Sequence, residues 1–219
     1  PEEFQWLEGH AYAYSQNIPY FQIIDLFNSV FLIKEGDSTP IIREKIASGL
    51  TSLGKNDQSI FPYIGSLYSI PSPELEQVNP ELWKSRLQKA CITVISALAK
   101  KKKTVFFLED LHWADKSSVD LLRMLLSEIR DPAIVICVHR PAFSLFTSYQ
   151  QKEQSRNYQE IKLQDLSLSE AQDMLESLLE SEKAPVDLYN YVKDKAEGNP
   201  FYLEELVNSL IESDILIKD

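Results

Sequence analysis

Residues 104–115 read Thr-Val-Phe-Phe-Leu-Glu-Asp-Leu-His-Trp-Ala-Asp. An apolar run, Val105 to Leu108, stops abruptly at two acids, Glu109 and Asp110. Such a run is the sequence form of a buried parallel strand whose carboxyl-terminal tip carries carboxylates. Two carboxylates at such a tip suit the chemistry of phosphoryl transfer. They can hold a hydrated Mg2+ and orient a water for in-line attack. Such a tip needs a partner, a glycine-rich loop that cradles phosphate.

One stretch comes close. Gly49-Leu-Thr-Ser-Leu-Gly54-Lys55 has the spacing of a phosphate loop, but Asn56 stands where Ser or Thr should contact the metal. Its setting is also wrong. A phosphate loop follows a buried strand and opens a helix, whose free N–H groups hold the anion. Residues 41–53 read as a helix, and Gly54 reads as the glycine that ends it. The stretch is therefore read as a decoy, and the phosphate-holding half of the site is expected to be missing.

The elements around the acids alternate. Phe4 to Leu7 reads as a short strand ending at Gly9. Phe21 to Leu32 has helical spacing through Phe21, Ile24, Leu26, Phe27 and Phe31. Pro40 opens a second helix, with Ile42, Ile46 and Leu50 on one face. Residues 55–81 hold four prolines and read as loops with short helices. A long helix from Pro80 to about Lys100 precedes the acid-tipped strand. A helix over Ser117–Ile129 follows, then a second buried strand, Ala133–Val138, ending in His139-Arg140-Pro141. Ile161 and Leu163 mark a short last strand beyond a polar linker at 147–158. From Ser167 the pattern is purely helical, with a capping box at Ser167–Glu170 and helices near 169–181, 185–196 and 200–212. The expected fold class is α/β: a partial parallel sheet flanked by helices over 1–165, then a helical subdomain over 166–219.

The composition excludes several alternatives. At 219 residues, 44% hydrophobic and 25% charged, the chain can bury one core plus a small second unit. No apolar run reaches the ~20 residues of a membrane helix. Lys and Arg total 22 against 33 acids, a net charge of −11, which argues against nucleic-acid binding. Lys100 to Lys103 reads as a solvated turn. Cys91 and Cys137 read as buried reduced thiols of a cytoplasmic protein. Three scattered histidines without a Cys-x-x-Cys argue against zinc. Phe4, Trp6, Tyr12, Tyr14, Tyr20 and Phe21 read as core and interdomain packing. The chain starts at Pro1 rather than Met, so a fragment of a longer protein is expected.

Leu108 to Asp115, together with Gly198-Asn199-Pro200-Phe201-Tyr202-Leu203-Glu204-Glu205-Leu206, resembles a known family. Leu7-Glu8-Gly9, Ile18-Pro19-Tyr20, Val138-His139-Arg140-Pro141 and Leu163 to Leu168 extend the likeness across nearly the whole chain. It is similar to the AAA-type ATPase modules of STAND signalling NTPases, found in bacterial nucleotide cyclases, protein kinases and transcriptional regulators. The resemblance implies a P-loop NTPase core with a helical lid, and ATP and Mg2+ as cofactors bridging the two in the intact protein. It makes Glu109-Asp110 a Walker B element, with Glu109 holding Mg2+ and Asp110 sharing the metal and orienting the attacking water. Family members often have Asp where Glu109 stands. Arg140 matches a sensor of the γ-phosphate, and Gly198, Asn199 and Pro200 match a lid motif against the base. A surface arginine or a structural ion pair is the plain alternative for Arg140, and a helix stop and restart for Gly198-Asn199-Pro200. His112 and Asp115 lie where they could orient the acids; packing of the turn is the plain alternative for His112 and Trp113.

In the family the phosphate loop precedes the strand placed here at Phe4–Leu7, so the first strand, loop and helix are expected to be absent. This chain by itself is then expected to be inactive and to hold no nucleotide tightly. The implied partners are a neighbouring effector domain and C-terminal helical repeats, with no membrane. The rival reading is a non-catalytic interaction scaffold that keeps the fold without the nucleotide.

Overall fold

The computed structural model describes residues 4–55, 59–146, 158–180, 184–213 and 215–216. Two compact units divide the chain, Pro1–Tyr158 and Gln159–Asp219. Most of the linker expected at 147–158 lies outside the described residues.

The first unit is built on a parallel sheet of β1 (Gln5–His10), β2 (Thr104–Glu109) and β3 (Ala133–Cys137), in the order β1-β2-β3. The register sets Leu7 beside Phe106 and Gly9 beside Leu108, with Val135 and Cys137 next in the same rows. Helices α1 (Phe21–Phe31), α2 (Thr39–Ser52), α3 (Phe61–Ser66) and α4 (Pro80–Lys101) connect β1 to β2, and α5 (Lys116–Glu128) connects β2 to β3. Leu7, Phe106 and Leu108 join one continuous core with Ile23, Leu26 and Phe27 of α1, Ile64 of α3, Ile95 of α4 and Leu122 of α5. Gly9 is needed there. A Cβ on it would lie 3.1 Å from the Gln22 carbonyl oxygen and 3.2 Å from Leu26 Cβ, so α1 rests directly on the strand.

The other sheet face carries no helix among the described residues. Trp6, Val105, Phe107, Ile134 and Ile136 point there, outside the core cluster; Val105 is buried between its strand neighbours, Phe107 is half-buried, and Ile134 is 55% exposed. Sequence reads β3 as a second buried strand, because its apolar run is unbroken. The structure corrects this. Among the described residues β3 pairs only with β2; it buries one row of side chains partly and leaves the other row in the open. An apolar run reports that a strand can be buried on both faces, not that both covers are in place.

Local signals account for the helices. Ile23 replaces the expected Ile24 in the buried row of α1. Asn79 caps α4 through the Leu82 N–H, and Pro80 takes its first position. The cap of α5 is Asp115 rather than Ser117 or Ser118. Cys91 and Cys137 are free, and burial pushes the Cys137 thiol up to about 12.

The second unit packs α6 (Leu168–Leu179), α7 (Val186–Ala196) and α8 (Pro200–Glu212) around Leu175, Val192, Leu203 and Val207. Ser167 and Glu170 form the expected capping box. The short last strand expected at Ile161 and Leu163 does not form. Both side chains are exposed, Leu163 at 93%, and among the described residues of its unit no strand supplies ladder hydrogen bonds. Among the described residues no helix is long and apolar enough to cross a membrane.

Candidate active site

Parallel pairing brings three strand ends to one edge of the sheet. His10 is the register partner of Glu109. Beyond β3, the Val138 N–H donates to the Leu108 carbonyl at 2.9 Å, and the Leu111 N–H donates back to the Val138 carbonyl at 3.0 Å. Between these two ties the chain turns sharply. Asp110 takes φ 54°, ψ 37°, the left-handed region, and starts a single 3-10 turn over Leu111–Trp113. An Asp tolerates this conformation better than most residues, and such backbone often marks a functional position. The side chains of Glu109 and Asp110 are 41% and 58% exposed, so both carboxylates reach solvent at the strand tip.

Helix α1 is tied to this tip by polar groups that the sequence reading does not single out. Gln22, buried, donates from Nε2 to the Glu109 carbonyl at 2.9 Å and to the Gly9 carbonyl at 3.2 Å. Asp25 Oδ2 accepts the His10 backbone N–H at 2.8 Å and lies 3.0 Å from His10 Nδ1. His10 Nε2 lies 3.3 Å from Glu109 Oε2. No sequence motif announces this set. Its members are brought together by strand register and by the crossing of α1.

Aromatic rings extend from the same edge. His10 stacks on Tyr12, and Tyr12 on Tyr14 with ring centres 5.3 Å apart, while Phe21 meets both tyrosines edge-on. Of the six aromatics read as packing residues, Tyr20 is buried and Phe21 half-buried, but Phe4, Trp6, Tyr12 and Tyr14 are exposed. The Tyr12 phenol is raised above its ordinary value, first by partial burial and then by Asp25, Tyr14, Glu109 and Asp110.

Asp115 is buried and fully engaged. Its carboxylate accepts the N–H groups of Ser117 and Ser118 in α5, the Ser118 hydroxyl, and the N–H groups of Tyr20 and Phe21 at the start of α1. One carboxylate thus caps two helices, and no oxygen of it turns toward Glu109 or Asp110. His112 packs against Trp113, with Nδ1 3.9 Å from Asp110 Oδ1, beyond hydrogen-bond reach.

Arg140 lies past the end of β3 on the same sheet edge, exposed; its carbonyl accepts the Phe143 N–H at 3.0 Å. Gly198, Asn199 and Pro200 lie in the second unit. Gly198 has φ +81°, and a Cβ there would sit 2.9 Å from the Leu166 carbonyl oxygen, so only glycine fits. Its own carbonyl accepts the Leu166 N–H at 2.7 Å. Asn199 caps α8 through the Phe201 N–H, and Pro200 takes the first helical position. The motif does stop one helix and restart the next.

The Gly49–Lys55 stretch is the end of α2. The Lys55 N–H returns to the Leu50 carbonyl at 2.9 Å, and Gly54 has φ +65°. Gly49 lies inside the helix, against the ring of Phe31. Helix carbonyls, not free N–H groups, point outward here, which disfavours an anion.

The donors at the tip fit Mg2+. It takes hard oxygen ligands, keeps several waters, and needs only one or two carboxylates when phosphates complete the shell. Among the described residues no group of three or more His, Cys, Asp or Glu could hold a metal unaided. The family model of the AAA ATPase domain matches residues 1–137. The chain belongs to the AAA ATPase domain family. A second model, a domain of unknown function (DUF8739), matches residues 167–219. No curated protein and no solved structure matches the chain. The AAA match covers all three strands and helices α1 to α5, and it includes Glu109 and Asp110.

Proposed function

We propose that this AAA ATPase domain is an ATP-driven regulatory switch of the STAND type within a multidomain signalling protein. The observation that carries the reading is the acid-tipped central strand. Two solvent-reaching carboxylates sit at the carboxyl end of β2, one of them on a left-handed backbone, inside a chain of this family. In this reading Glu109 and Asp110 hold Mg2+ through its waters, and Asp110 also orients the attacking water. Arg140 reads the γ-phosphate from the neighbouring strand end. The second unit serves as a lid in which Gly198, Asn199 and Pro200 contact the base. Effector domains and helical repeats are the partners through which nucleotide state would be read out.

The bare sheet face and the open edge of β3 support a place for the phosphate-holding element. Both connections, β1 to β2 and β2 to β3, pack their helices on the same face. A strand that preceded β1 and paired with the open edge of β3 would have to cross back in the opposite direction. Right-handed crossover then puts its helix over Trp6, Phe107, Ile134 and Ile136. The loop between that strand and helix would open beside Glu109 and Asp110, at the switch point where ligands bind. The rival reading, a scaffold that keeps the fold without nucleotide, is favoured by one observation: the only phosphate-loop-like stretch among the described residues closes a helix.

Equilibrium binding of Mg-ATP and single-turnover hydrolysis in the full-length protein test the proposal. Asp110→Asn should slow hydrolysis by at least about 100-fold while ATP affinity stays within a few-fold. Glu109→Ala should weaken Mg2+-dependent binding. Failure of the wild-type protein to bind ATP at millimolar concentration would establish the scaffold instead.

A further inference from the structure

We infer that His10, held by Asp25, is a positioning residue for the Glu109 carboxylate. The inference rests on the nucleotide reading of Glu109. Three elements meet in this contact. Asp25 on α1 accepts both the backbone N–H and the ring Nδ1 edge of His10 through a single oxygen, at 2.8 and 3.0 Å. That fixes the imidazole plane at the end of β1. The opposite ring nitrogen then lies 3.3 Å from Glu109 Oε2 on β2. The Tyr12 ring lies nearly parallel to the imidazole, with ring centres 6.3 Å apart. The side chains of His10, Asp25 and Glu109 are 33%, 30% and 41% exposed, so none is held by burial alone.

The arrangement answers a difficulty particular to this chain. A glutamate at the tip has one more rotatable bond than an aspartate, and it scatters its carboxylate over more positions unless something holds it. The Gln22 amide holds the backbone of Glu109, and a His10 ring that carries a proton on both nitrogens faces one carboxylate oxygen as an ion pair at 3.3 Å. The second oxygen is left for the water shell of the metal. Outer-shell partners of this kind govern metal affinity through the orientation of the ligand they touch.

Two side-chain swaps divide the contact. His10→Gln places an amide near the position of Nε2 and keeps an N–H donor facing Glu109. His10→Asn places one near Nδ1 and keeps only the bond to Asp25. The readout is Mn2+ affinity in the presence of ATP, measured on the full-length protein from the paramagnetic resonance signal of free Mn2+. His10→Ala and His10→Asn should weaken Mn2+ by roughly tenfold, and His10→Gln by less than about threefold. Equal weakening in all three, or in none, overturns the inference. A second measurement is the 15N resonance of the His10 ring nitrogens, which should move on Glu109→Gln. Wild-type protein that holds Mn2+ while this resonance stays put sinks the role of His10 alone. Wild-type protein that holds no Mn2+ with ATP sinks the nucleotide reading, and the role of His10 with it.

Discussion

Asp115 shows how much a single buried carboxylate can organise. It lies five residues beyond Asp110 and resembles, in sequence, one more acid of the tip. In space it satisfies backbone donors at the starts of both α1 and α5. Its removal leaves several buried N–H groups without an acceptor, each costing on the order of 1 kcal/mol or more. Asp115→Ala should therefore lower the unfolding free energy by about 2–4 kcal/mol in urea titration. A loss under about 1 kcal/mol would mean the caps are replaceable by water. Tyr20, tied to the same carboxylate, gives a pH signature. Burial, and after it neighbours that include Asp115 and Asp120, raises its phenol to about 12. Its folded pKa lies above the unfolded value of ~10, so the unfolded chain loses its proton first as pH rises. Stability should fall between about pH 10 and 12, by up to ~1.4 kcal/mol per pH unit from this group. Denaturation of Tyr20→Phe across that range should show a shallower fall than wild type; identical slopes would exclude Tyr20 as a contributor.

At the scale of elements, the helices were legible because their signals are local. Pro80 after Asn79, Ser167 with Glu170, and Gly198-Asn199-Pro200 all mark helix ends where the structure has them. Gly49 was legible only in part. The sequence places it in a helix rather than a phosphate loop, but the reason for glycine is the ring of Phe31 across the α1–α2 contact. A Cβ would come within 2.5 Å of that ring. Gly49→Ala improves helix propensity by up to about 1 kcal/mol, yet must push α1 and α2 apart, which costs about 1–3 kcal/mol. Net destabilisation is expected in a thermal melt. A stabilised variant would show that Phe31 has room to move. Strands were harder to read than helices. Ala133–Cys137 and Ile161–Leu163 share apolar character, but only the first found a partner strand. Pairing is a property of two segments, and one segment alone does not reveal it.

The whole molecule carries an unbalanced sheet. One face is packed by helices; the other exposes Trp6, Ile134 and Ile136, beside an edge of β3 that has no partner strand among the described residues. An exposed, apolar, uncharged edge is a template for association. Ile136→Lys should reduce concentration-dependent light scattering of this 219-residue chain with little change in its melting temperature. If a preceding strand and helix cover that face in a longer protein, the same substitution should destabilise the longer protein by a few kcal/mol, because it would bury a charge. No effect on either would mean that the face is neither sticky nor covered.

Taken by itself, the sequence determined what depends on neighbours along the chain. Hydrophobic period, proline and glycine placement and capping residues gave the helices. The abrupt change from Phe106-Phe107-Leu108 to Glu109-Asp110 gave the acid-tipped strand. Tertiary structure decided what depends on residues far apart in sequence. His10, Gln22 and Asp25 reach Glu109 only because β1 pairs with β2 in one register and α1 crosses at Gly9. The same long-range pairing turned Asp115 into a joint between two helices and made β3 an open edge. Local conformation is set within a few residues by sterics and hydrogen bonding. A site is set by contacts across as many as 99 residues, from His10 to Glu109, which no local pattern encodes.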